Sequence, residues 1–228
     1  MRIGRNEVPM PIRLLWSVLI VFALAAPGIN AQGAFLENGR SGGGTAISIS
    51  VNDGNFGVST SIIATFSSRA DLGILAGRVS GEGVSYFTGG LSARVYPLRQ
   101  DAGPLPFSLS LAGIAERSLS DGVTSKSYAI GSSIFTNLSL SSDDDRFYQP
   151  FISVLWGRTS VTHGFYHNEQ LHEYSLGETQ LSTGIGFSYV RESASRRIWS
   201  ITPCIVFAEN VTTFTFTVGY LIPSRAKR

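Results

Sequence analysis

Three histidines lie close together in the chain and are the first residues whose types could support chemistry. These are His163, His167 and His172, with Glu169 and Glu173 nearby. Neutral imidazole is a common metal ligand and titrates near neutral pH, so the group could form a metal site or a proton-sensitive site. Spacings of four and five residues define a shared face only on a helix, and this segment has no helical pattern. The pattern therefore favours a polar surface loop, and no metal or other cofactor is expected.

Two charged residues occur in segments that otherwise hold apolar and small residues. Arg94 and Glu116 could both point into a narrow lumen, where an ion pair would fix the register of neighbouring strands and an unpaired charge would be unfavourable. Both could instead lie at a rim in water, where the pair would contribute little. The residues alone leave both interpretations open. Arg158, two residues after Trp156, is a third candidate for a charge in the lumen.

Three consecutive aspartates, Asp143 to Asp145, precede Arg146 in a serine-rich segment. The segment lacks the spacing, the glycine and the closing glutamate of an EF-hand, so a solvated turn is the better interpretation. The chain also has no Gly-x-Ser-x-Gly motif, no phosphate-binding loop and no arrangement of Cys204 with the histidines that the sequence can support. We therefore do not expect an enzyme.

The N-terminal segment has the three parts of an export signal. They are a basic region at Arg2, Arg5 and Arg13, the 13-residue apolar core Leu14–Ala26, and the small-residue motif Ile29-Asn30-Ala31. An uncleaved anchor would need about 20 apolar residues to cross a bilayer. We expect residues 1–31 to be removed, which leaves residues 32–228 as one domain.

Charge and composition exclude some functions. Of 18 basic and 16 acidic residues, three Arg and one Glu lie in residues 1–31, so the remaining chain has 15 of each. It has no basic patch interleaved with aromatics, so nucleic acid is not an expected partner. Cys204 is the only cysteine, so no intrachain disulfide can form. Charged residues reach 15%, against about 25% in typical soluble domains, which suits a surface facing lipid.

Alternation of apolar with small polar residues predicts strands along the rest of the chain. In the clearest strand Phe214, Phe216 and Val218 share one face, and threonines occupy the other. An Asp-Gly pair at 53–54 predicts a hairpin turn. The ten predicted strands are Thr45–Val51, Phe56–Phe66, Asp71–Val79, Val84–Pro97, Phe107–Glu116, Ser127–Leu140, Phe151–Val161, Thr179–Arg191, Ile198–Phe207 and Val211–Ile222.

The second face of these strands decides the fold class. A soluble β-sandwich would show water a face rich in Lys, Glu and Asp, whereas this face is mostly Ser, Thr and Gly. We therefore predict an all-β fold, a closed antiparallel up-and-down transmembrane β-barrel of eight to ten strands, with lipid outside and a polar lumen inside. Aromatic residues near strand ends could form its two interfacial girdles, namely Tyr96, Phe147, Tyr148, Phe165 and Tyr220.

The pattern from Gly44 to Ile222 resembles small bacterial outer-membrane β-barrel proteins of the porin-like and opacity types. The resemblance rests on Gly-x-Gly-Phe-x-Tyr at Gly184–Tyr189 and on the closing strand Phe214–Tyr220. It implies the outer membrane of a Gram-negative cell, with outer-membrane lipid and the assembly machinery as partners. In that family the closing strand usually ends the chain on an aromatic residue, whereas here eight residues follow Tyr220.

An even number of strands returns both termini to the periplasmic side. The predicted loop Gly164–Glu178, with its histidines, would then lie outside the cell, and the Asp-rich turn inside. With ten or fewer strands, side chains should nearly fill the lumen. A structural or surface-interaction role, with an unknown extracellular partner, is therefore the first hypothesis. The alternatives are a narrow pore for small solutes and a soluble, exported, lipocalin-like ligand-binding barrel.

Overall fold

The computed structural model describes residues 32–36, 39–52, 54–81, 84–120, 123–139, 145–167, 170–193, 195–209 and 211–224. The predicted export signal and its cleavage site lie outside the described residues. Asp143 and Asp144 of the Asp-rich turn do so as well.

Antiparallel strands account for most of the described chain. A short helix, α1 (Gln32–Phe35), precedes them, and a 3-10 turn lies at Gln100–Ala102. The strands are β1 (Gly42–Asn52), β2 (Asn55–Phe66), β3 (Ala70–Gly81), β4 (Val84–Leu98), β5 (Ser108–Ser120), β6 (Val123–Phe135), β7 (Leu138–Ser139), β8 (Arg146–His167), β9 (Gln170–Glu192), β10 (Ile198–Ala208) and β11 (Val211–Pro223).

Ten of these strands close into a barrel. Each pairs with its neighbour in the chain, β1 pairs with β11, and β6 pairs with β8 past the two-residue strand β7, which attaches to the start of β8. The predicted closed antiparallel up-and-down barrel is therefore confirmed, at the upper end of the predicted strand number.

The backbone partners also fix the stagger of the barrel. Followed from β11 once around the barrel, the partners return to β11 twelve residues away, between Pro223 and Val211. The path is Pro223, Gly42, Thr65, Asp71, Arg94, Ala112, Gly131, Leu155, Ser182, Ala208 and Val211. A stagger of this kind requires tilted strands, typically by about 35–45° from the barrel axis.

The two ends of the barrel differ. The tip end carries the connections that follow β1, β3, β5, β8 and β10, whereas the base carries the other connections, α1 and the end of β11. At the tip end Gly54 has a φ of 77°, the left-handed conformation that favours glycine, which fits the predicted Asp-Gly turn. No helix among the described residues is long and apolar enough to cross a membrane.

The alternating faces lie as the sequence predicts. On β11, Phe214, Phe216 and Val218 are 57%, 45% and 38% exposed on the outer face of the barrel. Thr213 and Thr217 on the inner face are fully buried. A barrel with apolar residues outside and hydroxyl-bearing residues inside is the reverse of a soluble fold, in which the apolar face forms the core.

Strand boundaries differ most from the prediction at three strands. β6 ends at Phe135, because Leu138–Ser139 forms the separate strand β7. β8 and β9 extend to His167 and from Gln170, so most of the predicted loop Gly164–Glu178 is paired strand. Periodicity missed this extension because residues 162–178 show no sustained alternation of apolar and polar residues.

Candidate functional site

The base of the barrel is closed by an apolar floor formed around the N-terminal segment. Ala34, Phe35 and Leu36 are 3%, 7% and 2% exposed, and they pack among inward side chains of the base. The ring of Phe35 lies 6.4 Å from that of Phe147, measured between centroids. The rest of this apolar floor consists of Tyr96, Phe135, Val190, Ile198 and Leu221, with Phe151 packed against them. Water and ions therefore meet a packed apolar layer at this end.

Arg99 ties this segment to the barrel. Its guanidinium donates hydrogen bonds to the backbone oxygens of Leu36, at 2.6 Å, and of Ser68, at 2.7 Å. The same guanidinium makes two bonds of 2.8 Å to the carboxylate of Asp101. Arg99 is buried, and bonds from a charged donor are roughly twice as strong as neutral ones. The N-terminal segment is thus held in place by its backbone as well as by its side chains.

A buried carboxylate lies beside the apolar floor. Asp71 is 2% exposed and accepts a hydrogen bond of 2.7 Å from Thr65 and another from the hydroxyl of Tyr96. These bonds connect β2, β3 and β4 at the base. Tyr96, a predicted girdle residue, points inward instead of facing lipid, as does Phe147, because both pack in the apolar floor.

Arg94 and Glu116 both lie on the inner face, at 6% and 5% exposure. They do not pair, because Glu116 lies opposite Gly90 while Arg94 lies opposite Ala112. Four residues of strand separate the two positions by about 13 Å. Both carboxylate oxygens of Glu116 and the Nε of Arg94 have no hydrogen-bond partner among the described residues. The interpretation as an ion pair is therefore wrong, and so is the alternative of a water-exposed rim.

The rest of the lumen wall carries many hydroxyl groups and also small apolar clusters, one of which consists of Ile63, Leu75 and Ile114. Cross-strand pairs join Ser48 to Thr217 at 2.8 Å and Ser188 to Thr202 at 2.8 Å. Thr88 and Thr215 carry buried hydroxyl oxygens with no partner among the described residues. This wall can hold water and polar groups. No cluster of three His, Cys, Asp or Glu residues that could hold a metal ion occurs in the described part of the chain.

Arg158 lies on the outer face and not in the lumen. It shares that face with Trp156, which is 52% exposed, because residues two apart on a strand point the same way. Its guanidinium lies near Gly177 of β9, within about van der Waals distance of where a side chain at Gly177 would begin. The prediction of a lumen position for Arg158 is therefore corrected.

The three histidines lie in the hairpin formed by β8 and β9. His163 and His167 are in β8 and His172 is in β9, where Phe165 lies opposite His172. Their side chains lie outside the described part of the structure, so the expectation of a polar surface segment without a metal stays a prediction. Asp145 lies at the base, 3.8 Å from Arg146, and both side chains are well exposed.

Aromatic residues gather on the outer face near the base. The rings of Tyr148 and Tyr189 lie 5.3 Å apart, and those of Trp199 and Tyr220 lie 4.5 Å apart, measured between centroids. Amphipathic rings at this position are typical of the girdles of membrane barrels. The predicted girdle residues Tyr148 and Tyr220 are thus on the outer face. The side chain of Phe165, also a predicted girdle residue, lies outside the described part of the structure.

No protein-family model matches the chain, and no curated protein is similar to it in sequence. Solved structures are similar over most of their length. The KdgM porin in complex with disordered oligogalacturonate is 10% identical, with a TM-score of 0.41, over 78% of this chain and 98% of the porin. The β-domain of the Bordetella autotransporter BrkA is 10% identical, with a TM-score of 0.46, over 80% and 98%. Ail, the attachment invasion locus protein of Yersinia pestis, is 12% identical, with a TM-score of 0.37, over 81% and 99%.

Proposed function

We propose that the chain is an integral outer-membrane β-barrel that does not conduct and that presents its β8–β9 hairpin as a contact surface outside the cell. Outer-membrane lipid and the assembly machinery are its partners in this account, and we assign it no reaction. The likeness to opacity-type proteins is part of this proposal and rests on the chain's own closing strand. The observation that carries the surface role is the length of the β8–β9 hairpin.

The membrane assignment follows from the outer face. On β2, Phe56 near the tip end and Phe66 at the base are 49% and 51% exposed. Ten residue steps cover about 33 Å along the strand, or about 25 Å along the axis of a tilted barrel, which equals the apolar band of membrane barrels. Thirty-three large apolar side chains are exposed in the described residues, far more than a water-facing surface carries in one continuous band.

The same arrangement argues against a soluble lipocalin-like barrel. Such a protein would place its charged residues outside and an apolar cavity inside. Here the lumen carries many Ser and Thr residues together with Arg94 and Glu116, and its apolar residues form only small clusters. Most isoleucines, leucines and phenylalanines cover the exterior instead.

The β8–β9 hairpin extends well past its neighbours. The last residue of β9 that pairs with β10 is Ser182, and β9 then continues for twelve more residues to Gln170. The last residue of β8 that pairs with β6 is His163. With the apolar band in the membrane, this hairpin is the part of the described chain that stands furthest from it. Long, polar surface segments on rigid scaffolds commonly carry binding.

The apolar floor argues against the narrow pore. Phe35 and Leu36 close the base, and Arg99 holds their backbone in place. A hydrated ion could enter the polar part of the lumen but would have to cross this layer without partners. Recordings in planar bilayers at all voltages should therefore show no channels.

Cysteine labelling on intact cells tests the orientation. In a Cys204→Ala background, Ser175→Cys on the exposed face of the hairpin should react with a membrane-impermeant maleimide. Ser195→Cys, exposed in the β9–β10 turn at the base, should react only after lysis. Labelling of Ser195→Cys on intact cells, with Ser175→Cys protected, would show that the barrel has the opposite orientation and would contradict the proposal.

A shortened hairpin tests the surface role. Ser160 lies opposite Gly177, so an Asn-Gly turn can replace residues 161–176 without a change of register. Cells carrying the shortened barrel should lose self-aggregation or attachment to surfaces while the barrel keeps its heat-modifiable gel migration. Equal aggregation and attachment of the two strains would leave the hairpin without the proposed role.

A further inference from the structure

Four basic residues form a belt on the outer face, near the tip end and on one side of the barrel. Arg78 is on β3, Arg117 on β5, Lys126 on β6 and Arg158 on β8, and all four are exposed. Phe87 of β4 lies between the first two, opposite Arg78 in the ladder and 5.4 Å from its guanidinium. Arg78, Arg117, Lys126 and Arg158 are called the basic belt below.

The register brings like charges together within the basic belt. Arg117 and Lys126 are direct cross-strand partners. Lys126 lies opposite Ser160, two residues from Arg158 on the same face. Like charges directly opposite each other destabilise a sheet pair. Among the described residues no carboxylate forms an ion pair with any of the four cations. An anion from outside the chain would relieve this repulsion.

The charged groups of Arg78 and Arg158 point toward the tip end. Arg78 donates a hydrogen bond of 2.8 Å to the hydroxyl of Ser85, whose backbone partner Ser80 lies two residues nearer the tip. The guanidinium of Arg158 lies near Gly177, whose partner Ser160 is likewise two residues nearer the tip. Long basic side chains take this direction when their stems lie on an apolar surface and their charges reach a polar layer. Given the proposed membrane position, that layer is the outer leaflet's headgroup region.

The belt is confined to one side of the barrel. The described outward residues nearest the tip end on β1, β2, β10 and β11 are apolar or carry hydroxyls, including Val51, Phe56, Phe207 and Thr212. A uniform attraction to a charged surface would not require four cations on β3 to β8 and none on these strands. The distribution fits one bound molecule, or a few, with phosphate groups spaced along the belt.

An apolar depression runs along the outer face and ends at the belt. Its floor includes the small residues Gly43, Ala64, Ala93 and Gly113, which occupy one cross-strand row interrupted only by Leu72. The row continues through Ile130 to Trp156, two residues before Arg158. A groove of this kind has room for hydrocarbon chains, while the adjacent cations can bind phosphate. A free phosphate ion would contact only the basic belt and would leave the apolar depression empty.

We propose that the basic belt, together with this depression, binds a phosphorylated, acylated glycolipid of the outer leaflet. The inference rests on the proposed membrane position and adds a lipid class and a binding face to it. Arg117 and Lys126 would share one phosphate, and Arg158 would contact the headgroup where the depression ends. The acyl chains would lie over the small residues.

Native mass spectrometry of the folded full chain, extracted from membranes in detergent, tests this proposal. The probe is diphosphorylated lipid A, compared with the same lipid after removal of both phosphates and with phosphatidylglycerol. The double variant Arg117→Gln/Lys126→Gln should weaken binding of the diphosphorylated lipid at least about ten-fold, since each lost charge-assisted bond is worth more than one factor of ten. The unaltered chain should bind the lipid without phosphates as weakly as the double variant binds the diphosphorylated lipid.

The matched control is Arg146→Gln/Arg191→Gln. These residues are also direct cross-strand partners on the outer face, but they lie at the base. The control removes the same charge and should leave binding unchanged. Arg158→Gln alone provides a milder variant if the double variant folds poorly, and heat-modifiable migration verifies folding of each.

Three results would overturn the inference. The double variant could bind the diphosphorylated lipid as tightly as the unaltered chain, removal of the phosphates could have no effect, or phosphatidylglycerol could bind with equal affinity. Failure of the membrane proposal would be recognised separately, because Ser175→Cys would then remain unlabelled on intact cells whatever the lipid binding.

Discussion

Arg99 donates a hydrogen bond of 2.6 Å from Nη2 to the backbone oxygen of Leu36, across 63 residues of sequence. This contact joins the start of the described chain to the loop between β4 and β5. It makes the N-terminal segment a part of the barrel base, and it adds charged hydrogen bonds to the apolar packing that holds the segment there.

Loss of this guanidinium should loosen the apolar floor. Arg99→Ala would leave the backbone oxygens of Leu36 and Ser68 without their charged donor, which should lower the free energy of unfolding by about 3 kcal/mol. Urea unfolding in micelles measures this. Arg197→Ala, in the exposed β9–β10 turn, is the control and should change little. Equal stability of the two variants would show that the segment is held by apolar contacts alone.

Opening of the apolar floor should convert the barrel into a conductor. Phe35→Asp would place an unpaired carboxylate in a buried apolar cluster, which should expel the N-terminal segment from the base. Hydroxyl groups line much of the remaining lumen, so discrete current steps should appear in planar bilayers. Phe66→Asp, on the exposed outer face at the same end, should stay silent. Continued silence of Phe35→Asp would mean that other side chains also block the lumen.

Two adjacent glycines on β4, Gly89 and Gly90, should differ in how well they tolerate substitution by alanine. A Cβ at Gly90 would lie 2.5 Å from the backbone oxygen of Ala115 and 2.8 Å from Cγ of Glu116, whereas at Gly89 the nearest atom is 3.8 Å away. Gly90→Ala should therefore lower the free energy of unfolding by about 1–3 kcal/mol. Gly89→Ala should be tolerated. A reversed order in urea titrations would contradict the inward position of Glu116.

The carboxyl group of Glu178, on the β8–β9 hairpin, should lose its proton at a higher pH than an ordinary glutamate. Desolvation, and then the negative charge of Glu209, raise the pKa of Glu178 above its ordinary value. A raised folded pKa means that this group stabilises the hairpin at acid pH, and that the contribution is lost as pH rises through the folded pKa. Carbon-13 NMR of the carboxyl should show the raised pKa, and Glu209→Gln should lower it. Glu192→Gln at the base should leave the pKa of Glu178 unchanged. An unchanged pKa of Glu178 in Glu209→Gln would show that the charge of Glu209 does not raise it.

Much of the fold could be predicted because a membrane barrel has to alternate. Each of the ten predicted strands corresponds to a barrel strand, since Phe214, Phe216 and their equivalents repeat with a period of two wherever lipid covers the outside. The Asp-Gly turn is likewise a local signal, as the positive φ of Gly54 shows.

Features that depend on distant contacts could not be predicted. Residues 32–36 are too few to show a period, so nothing local indicated that Phe35 enters the barrel. Arg158 is only a candidate for a lumen charge by sequence, because nothing local fixes its face; at the edge of the apolar band an outward side chain can reach the polar layer. The register that separates Arg94 from Glu116 is a property of the ladder and not of either strand.

Nitroxide scanning of residues 213–218 in lipid vesicles, with single cysteines in a Cys204→Ala background, tests whether the apolar face of β11 contacts lipid. Labels at Phe214, Phe216 and Val218 should collide freely with oxygen dissolved in the hydrocarbon, and labels at Thr213, Thr215 and Thr217 should be shielded from it. Accessibility to oxygen that peaks at the threonines, or that lacks a period of two, would contradict a barrel whose aromatic and aliphatic face contacts lipid.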